Sequence, residues 1–338
     1  MIIIYQTLIF FFLAILLILI FNSYSLEIAE KMKLVDKPDL KRKIHKNNTP
    51  IVGGLMIFVY VIIIFFIDKY ILINQQIFSL NYLLLLIPFF FLGLLDDILN
   101  LKSYLKLSVI YIYSLLIIFF VFEELILGKI YFETFEKIFE IEPLTGSLIT
   151  ALCISLLINA FNMSDGINSL ANGIAIIWLT ISCIFFPFSE FNQFKILLII
   201  ILFLQFFQIY KEKFFLGDSG SIFISGIISI LIIYDYNMQM NDMQISVEKI
   251  VLVFFIPGID MMRLFVTRLL NKKNPFEGDR NHLHHLLLYK FGIKKTLIVY
   301  YVFITIPIFL CNMIEIYILY IILLFFYFII FFKLQKSN

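Results

Sequence analysis

The sequence predicts an all-α, polytopic integral membrane protein of about eleven transmembrane helices (ten as the lower count), with its N-terminus outside and its C-terminus in the cytoplasm. Three observations predict this. Of 338 residues, 62% are hydrophobic and 15% charged, and the mean hydropathy is +1.00; soluble domains average about 45–50% apolar. Apolar runs recur at about the 17–25 residues that a helix needs to cross a bilayer. Basic residues fall overwhelmingly on one side of those runs.

Eleven spans are expected, at about 2–22, 51–67, 77–95, 105–121, 146–160, 170–188, 196–210, 220–234, 249–269, 297–312 and 316–332. The first lacks a basic n-region and a small-residue cleavage site and runs into a basic loop, so it reads as a span and not as a signal peptide. The runs 196–210 and 220–234 are short and the least sharply bounded. No repeat or low-complexity linker divides residues 1–338, which read as one integral membrane domain. Cys153, Cys183 and Cys311 lie in apolar segments without CxxC spacing and read as small buried hydrophobes, neither a disulfide framework nor a metal site.

Charge sets the orientation. With the N-terminus outside, the inner loops and inner span ends collect 21 of the 26 Lys and Arg, leaving Lys69, Lys129, Lys137, Lys195 and Lys249 outside. Every polar island then reaches the cytoplasmic side: KRKIHKNNTPIVGG (41–54), LLDDILNLKSYLK (94–106), NAFNMSDGINSLANG (159–173), FFLGDSGS (214–221) and NPFEGDRNHLHHLLL (274–288). Dropping the basic residues of the islands still leaves 14 inside against 5, so the convergence is largely independent of the rule that orients it. A transporter places its polar groups near the bilayer midplane. An enzyme taking a cytosolic substrate at the inner leaflet groups them at one face.

Each island has a chemistry. Asp96 and Asp97 are adjacent and uncompensated at the end of an apolar run, where a carboxylate costs about 2.5–3.5 kcal/mol at the centre of a span; a hydrated divalent cation would neutralise them, whereas a solvated helix end is the bland alternative. Asp165 in NMSDGINS and Asp218 in FLGDSGS are flanked by Gly166, Gly217 and Gly220, and Ser219 or Ser221 is placed to cap a following helix whose amides face an anion. Either motif alone also reads as an ordinary capping turn. Asp96, Asp97, Asp165 and Asp218, four carboxylates at one face, suit Mg²⁺ or Mn²⁺. His282, His284 and His285 beside Arg280 suit a diphosphate; zinc is the weaker alternative, lacking HExxH or a partner cysteine, and attraction to anionic lipid is the bland one. Lys46 abuts TPIVGG as a phosphate contact, and Phe215, three residues before Asp218, is placed to stack on a base. Nothing in this pattern points to nucleic acid.

The five islands, in this order, resemble the polyprenyl-phosphate N-acetylhexosamine-1-phosphate transferases, a family spanning the bacterial undecaprenyl-phosphate GlcNAc-1-phosphate transferases and the phospho-MurNAc-pentapeptide translocase. The resemblance runs from LVDKPDLKRKIHKNNTPIVGG to DRNHLHHLLL, and the last motif is similar to the GlcNAc-transferase, O-antigen-initiating branch. It implies transfer of an N-acetylamino-sugar-1-phosphate from a UDP donor to undecaprenyl or another polyprenyl phosphate, with release of UMP, at the bacterial cytoplasmic membrane, where such reactions start lipid-linked envelope glycans such as those of lipopolysaccharide. By position, it makes Asp96, with Asp97 beside it, the group that deprotonates or positions the acceptor phosphate, and Asp218 the principal magnesium ligand. Asn162 and Asp165 would line the nucleotide and metal site, and Phe215 would lie against uracil. Lys46, Lys106 and Lys213 match basic positions, and His282, His284 and His285 the histidine motif at the diphosphate or sugar.

Three departures stand out. Asn100 occupies the place of a common third Asp, NMSDGINS puts Asn168 and Ser169 where Asp and Gly are common, and Gln208 stands for an upstream Asn. Asn168, still able to offer an amide to a uracil or sugar edge, is read as altering donor recognition. A direct in-line transfer and a two-step route through an aspartyl-phosphate both fit. The rival classes are a lipid or ion transporter and a catalytically silent scaffold. A homodimer is admitted but not specified, as no GxxxG face stands out.

Overall fold

The computed structural model describes residues 2–36, 48–70, 77, 79–239, 245–276 and 280–335. Among these, eleven α-helices account for most of the chain: α1 (Ile2–Met32), α2 (Gly53–Tyr70), α3 (Leu80–Leu99), α4 (Ser103–Phe120), α5 (Pro143–Ser164), α6 (Leu170–Phe185), α7 (Asn192–Tyr210), α8 (Gly217–Gln239), α9 (Val247–Leu270), α10 (Leu283–Leu310) and α11 (Ile316–Gln335). Two short antiparallel pairs, β1 (Val35–Asp36) with β2 (Thr49–Pro50) and β3 (Lys129–Phe132) with β4 (Lys137–Glu140), and one 3₁₀ turn at Glu123–Leu125 accompany them. Ten of the helices are long and apolar enough to cross a membrane, and α6 is a shorter apolar helix. Its 16 residues rise about 24 Å at 1.5 Å each, against a hydrocarbon core of about 30 Å.

The two least sharply bounded runs become well-formed helices, α7 of 19 and α8 of 23 residues. Serines blur the hydropathy of α8 without weakening it. Ser225 and Ser229 are buried, and their hydroxyls donate to carbonyls one turn back, so neither hydroxyl is left unpaired. The last but one span differs more. It was expected from 297, but α10 begins at Leu283 and passes through Gly292 (φ 71°, ψ 170°), which kinks it. Lys290, Lys294 and Lys295 flank this non-helical glycine, and the apolar run expected from 297 falls in the second of the two helical segments that meet there. Cys311 is buried as expected, whereas Cys153 lies on an exposed face of α5.

The chain divides into two compact units, Met1–Lys102 with Asn168–Leu231, and Ser103–Ile167 with Ile232–Asn338. In the first, α1 packs on α2 and α7, α6 on α7, and α2 on α3. Phe58, Phe90 and Phe223 join α2, α3 and α8, with Phe58 stacked on Phe90 at 3.9 Å between ring centroids. In the second, α4 packs on α5, α5 on α9, and α9, α10 and α11 on one another. The β3–β4 hairpin is tied down by the Tyr131 N–H to Tyr236 Oη (2.9 Å) and by the Glu133 and Thr134 N–H groups to the Glu248 carboxylate (both 3.1 Å).

Candidate functional site

In the first unit, the aspartate pair ends α3. Asn100 follows in the left-handed region (φ 50°, ψ 66°) and its N–H returns to the Asp96 carbonyl at 2.8 Å, while the Asp96 carboxylate accepts the Leu101 N–H at 2.8 Å. Asn tolerates this conformation better than most residues with a side chain, which gives Asn100 a local reason to be there. Asp96 is buried and bound within this turn.

Asp97 reaches across to α8. Its Oδ1 accepts the Asp218 N–H at 2.8 Å and its Oδ2 the Ser219 N–H at 2.9 Å. The first amides of a helix have no intrahelical partner and carry its positive end, so a carboxylate from α3 caps α8. This corrects the expectation that Ser219 or Ser221 caps it. Ser219 lies buried inside the first turn, and Ser221 turns back to the Asp218 carbonyl.

The segment 214–217 that leads into this turn is joined to the TPIVGG segment by backbone hydrogen bonds. Gly53 and Gly54 donate N–H bonds to the Phe215 and Leu216 carbonyls, both at 2.9 Å, and Phe215 N–H donates to Pro50 at 2.8 Å. There is no room for side chains. A Cβ on Gly54 would lie 2.2 Å from the Gly220 nitrogen, and one on Gly93 2.4 Å from the Asp218 carbonyl oxygen. Gly217, at φ +76°, occupies backbone space that disfavours any other residue. TPIVGG therefore braces FLGDSG. Lys46, its expected phosphate contact, lies outside the described residues, as does His45.

Behind this brace a buried amide relay crosses from α6 to α7: Asn172 Nδ2 donates to Gln205 Oε1 (2.9 Å), and Gln205 Nε2 to the Gly53 carbonyl (2.9 Å). Gln205 falls in no polar island and Asn172 carries no role within NAFNMSDGINSLANG; an uncharged amide inside each apolar helix was the available signal. Asn168 donates from Nδ2 to Glu212 Oε1 at 3.0 Å, tying the approach to α6 to the turn after α7. Lys213 is exposed and Phe215 half-buried in that turn.

The second unit brings together the other predicted residues. Lys106 Nζ donates to Asn162 Oδ1 at 3.1 Å, and Asp165 ends α5 as its C-cap. A Cβ on Gly166 would lie 2.7 Å from His284 Nε2 and 2.9 Å from His285 Nε2, so the NMSDG loop and the histidine motif touch. His282 precedes the first residue of α10 and is buried, Arg280 is exposed, and His284 is buried with no hydrogen bond at either ring nitrogen.

A buried ionic network supports the histidines, and the sequence reading named Asp260 and Tyr327 nowhere and Arg263 only as a flanking charge. Asp260 Oδ1 accepts from Arg263 (2.8 Å) and Tyr327 Oη (2.6 Å), its Oδ2 meets His282 Nδ1 at 2.9 Å, and the Leu283 N–H reaches both oxygens at 3.2 and 3.3 Å. The Arg263 guanidinium also lies 4.0 Å over the Phe331 ring and donates to the Asn281 carbonyl. The usable signal was an acidic and a basic residue three apart within an apolar span, because ionisable groups there are rare and mark function. Asp260, His282 and His284 bring three ligand atoms within 4.8 Å of one another. The carboxylate is already held by four donor groups, one of them a guanidinium, so the set is a hydrogen-bonded ion pair and a poor cage for zinc.

The fold is thus a multi-pass membrane protein whose acidic and histidine motifs are held by dedicated buried scaffolds. Residues 79–235 match the model of glycosyl transferase family 4. It is 29% identical over 272 residues to the undecaprenyl-phosphate alpha-N-acetylglucosaminyl 1-phosphate transferase of Thermotoga maritima, covering 80% of this chain and 78% of that protein. It is 26% identical over 293 residues to the protein of the same name from Escherichia coli K12 (80% and 73% covered), and 28% identical over 276 residues to that of Yersinia pestis (78% and 71%).

Proposed function

We propose that the chain transfers an N-acetylamino-sugar-1-phosphate, from UDP-GlcNAc or a related donor, to undecaprenyl or another polyprenyl phosphate and releases UMP. The named relatives support the reaction class. The observation that carries it in this chain is the clamp of Asp97 on the first turn of α8, which fixes Asp218 beside a second carboxylate at a helix N-terminus.

The donor set there fits a hard divalent cation. It offers carboxylate oxygens only, and the two carboxylates lie close enough to repel each other. Asp218 would hold Mg²⁺ or Mn²⁺, with the second lone pairs of Asp97 beside it, and a bound cation would offset the charge of two phosphates brought together. Asp96, tied into its own turn, positions more readily than it shuttles protons. The acceptor needs little help, because a phosphate monoester with a second pKa near roughly 6 is already mostly dianionic at neutral pH. Phe215 would face uracil. Lys106 and Lys213, with Lys46, would meet phosphate oxygens, Asn162 and Asp165 the nucleotide side, Arg280 and the three histidines the diphosphate or sugar, and Asn168 the donor's distinguishing group.

The site would face the cytoplasm of a bacterial inner membrane, an orientation supported by the 21 to 5 distribution of basic residues. The test is UMP release by purified protein with undecaprenyl phosphate and a panel of UDP-GlcNAc, UDP-GalNAc and their 6-deoxy relatives. No release from any donor, under conditions where a related transferase is active, would refute the function.

A further inference from the structure

The His282–Asp260 contact has a chemical direction. Asp260 receives hydrogen bonds from the Arg263 guanidinium, the Leu283 amide and the Tyr327 hydroxyl, and that hydroxyl itself accepts the Arg263 Nε–H (2.8 Å) and so spends its own proton on the carboxylate. A carboxyl group so surrounded is an acceptor throughout. The proton in the 2.9 Å contact between Asp260 Oδ2 and His282 Nδ1 therefore belongs to the imidazole. With Nδ1 committed, Nε2 is the ring's remaining polar atom.

We infer that Asp260 is a positioning residue for His282, an inference resting on the transferase function above: it fixes the ring with Nδ1–H against its carboxylate and presents Nε2 to the substrate. Arg263 and Tyr327 hold Asp260 in turn. Both ends are fixed by the fold, since Asp260 and Arg263 are neighbours on one face of α9 and Tyr327 comes from α11. His282 sits where the chain turns into α10, with its own carbonyl accepting the N–H groups of His285 and Leu286. The chemistry asked of Nε2 follows. As a neutral ring it accepts a hydrogen bond from a sugar hydroxyl or the N-acetyl N–H. When protonated it donates to a phosphate oxygen, and the Asp260 carboxylate then balances the imidazolium charge. In either state a ring turned by 180° would present the wrong atom.

Two measurements test this. Nitrogen-15 spectra of the histidine-labelled full chain in detergent, with His282 assigned by the signal lost in His282→Gln, should show Nδ1 protonated at neutral pH; a neutral ring carrying its proton on Nε2 overturns the inference. This readout needs no activity, so it stands even if no donor releases UMP. The second is a double-mutant cycle on UMP release. Asp260→Asn should lower kcat at least tenfold in the native background and less than about twofold in the His282→Gln background. Equal losses in both backgrounds would mean that Asp260 acts on stability and not through His282. Where Asp260→Asn fails to fold, Tyr327→Phe replaces it in the same cycle, with a smaller loss expected in the same pattern and the same overturning result.

Discussion

Replacing Asp97 with Asn changes one heavy atom of the candidate site and separates two roles for this residue. The carboxylate now receives one N–H on each oxygen, from Asp218 and Ser219, at 2.8 and 2.9 Å. An amide keeps one oxygen for one of them and turns an NH₂ towards the other. One charge-assisted hydrogen bond is worth about 1.5–3 kcal/mol. Removing a negative charge from a partly buried helix N-terminus adds about 0.3–2 kcal/mol. The first turn of α8 would therefore be held less firmly by roughly 2–5 kcal/mol. At about 1.4 kcal/mol per decade, a turn that must be docked for turnover gives a fall of roughly thirtyfold to a thousandfold, the remaining glycine contacts of the 214–217 segment limiting the loss. The assay is UMP release over a Mg²⁺ titration, alongside the thermal midpoint of the same preparation. If Asp97 is the anchor, the midpoint falls and excess Mg²⁺ does not restore turnover. An unchanged midpoint together with full recovery in excess Mg²⁺ would refute the anchoring argument and make Asp97 a metal ligand first.

Four further outcomes are expected. Asp218→Ala should lower turnover by about a hundredfold or more with the protein still folded, the scale of losing one metal-placing group, and full activity in EDTA would remove the metal from the proposal. Asn168→Asp would set a second carboxylate against Glu212, replacing a 3.0 Å hydrogen bond with repulsion; kcat/KM among UDP-aminosugars should shift by about tenfold, equivalent to one hydrogen bond of roughly 1.4 kcal/mol, and Glu212→Gln should reverse part of it, whereas an unchanged donor ranking would exclude Asn168 from specificity. Gly93→Ala should destabilise by about 1–3 kcal/mol or more, because its Cβ meets backbone that cannot swing aside; a wild-type midpoint would mean that α3 and α8 can separate freely. Cysteines at Asn100 and Glu136 should be labelled only from the cytoplasm and only from outside respectively, and labelling of Asn100 from outside would overturn the orientation.

What the sequence disclosed and what it hid divide along physical lines. Helices were legible because a bilayer demands long apolar runs, although Lys290, Lys294 and Lys295 concealed the first turns of α10. The carboxylates and histidines were legible as polar groups in apolar surroundings. The partner of Asp97 was not. Hydrogen bonds to backbone amides have no residue-type signature, and local spacing favoured Ser219 as the cap. Asn168 looked like a donor-reading amide, and its bond to Glu212 depends on a loop contact 44 positions away. Asp260 could have been flagged, since its charge lies inside a span, but the surplus of inner basic residues drew Arg263 into the topology count and left its acidic neighbour unremarked.

The clamp between α3 and α8 also has a place in time. Its two halves are 121 residues apart in the chain, so at a synthesis rate of about 5–20 residues per second Asp97 leaves the ribosome roughly 6–24 s before its amide partners exist. Through that interval its charge, at the end of an inserted helix, must stay hydrated at the membrane surface, and α3 is free to slide or tilt along the bilayer normal. Only the arrival of α8 fixes its depth. A nascent chain stopped before Asp218 should therefore hold α3 in the bilayer without a defined register, and the acidic end of the site would be set late, by a helix that has yet to be made when the first three are already in place.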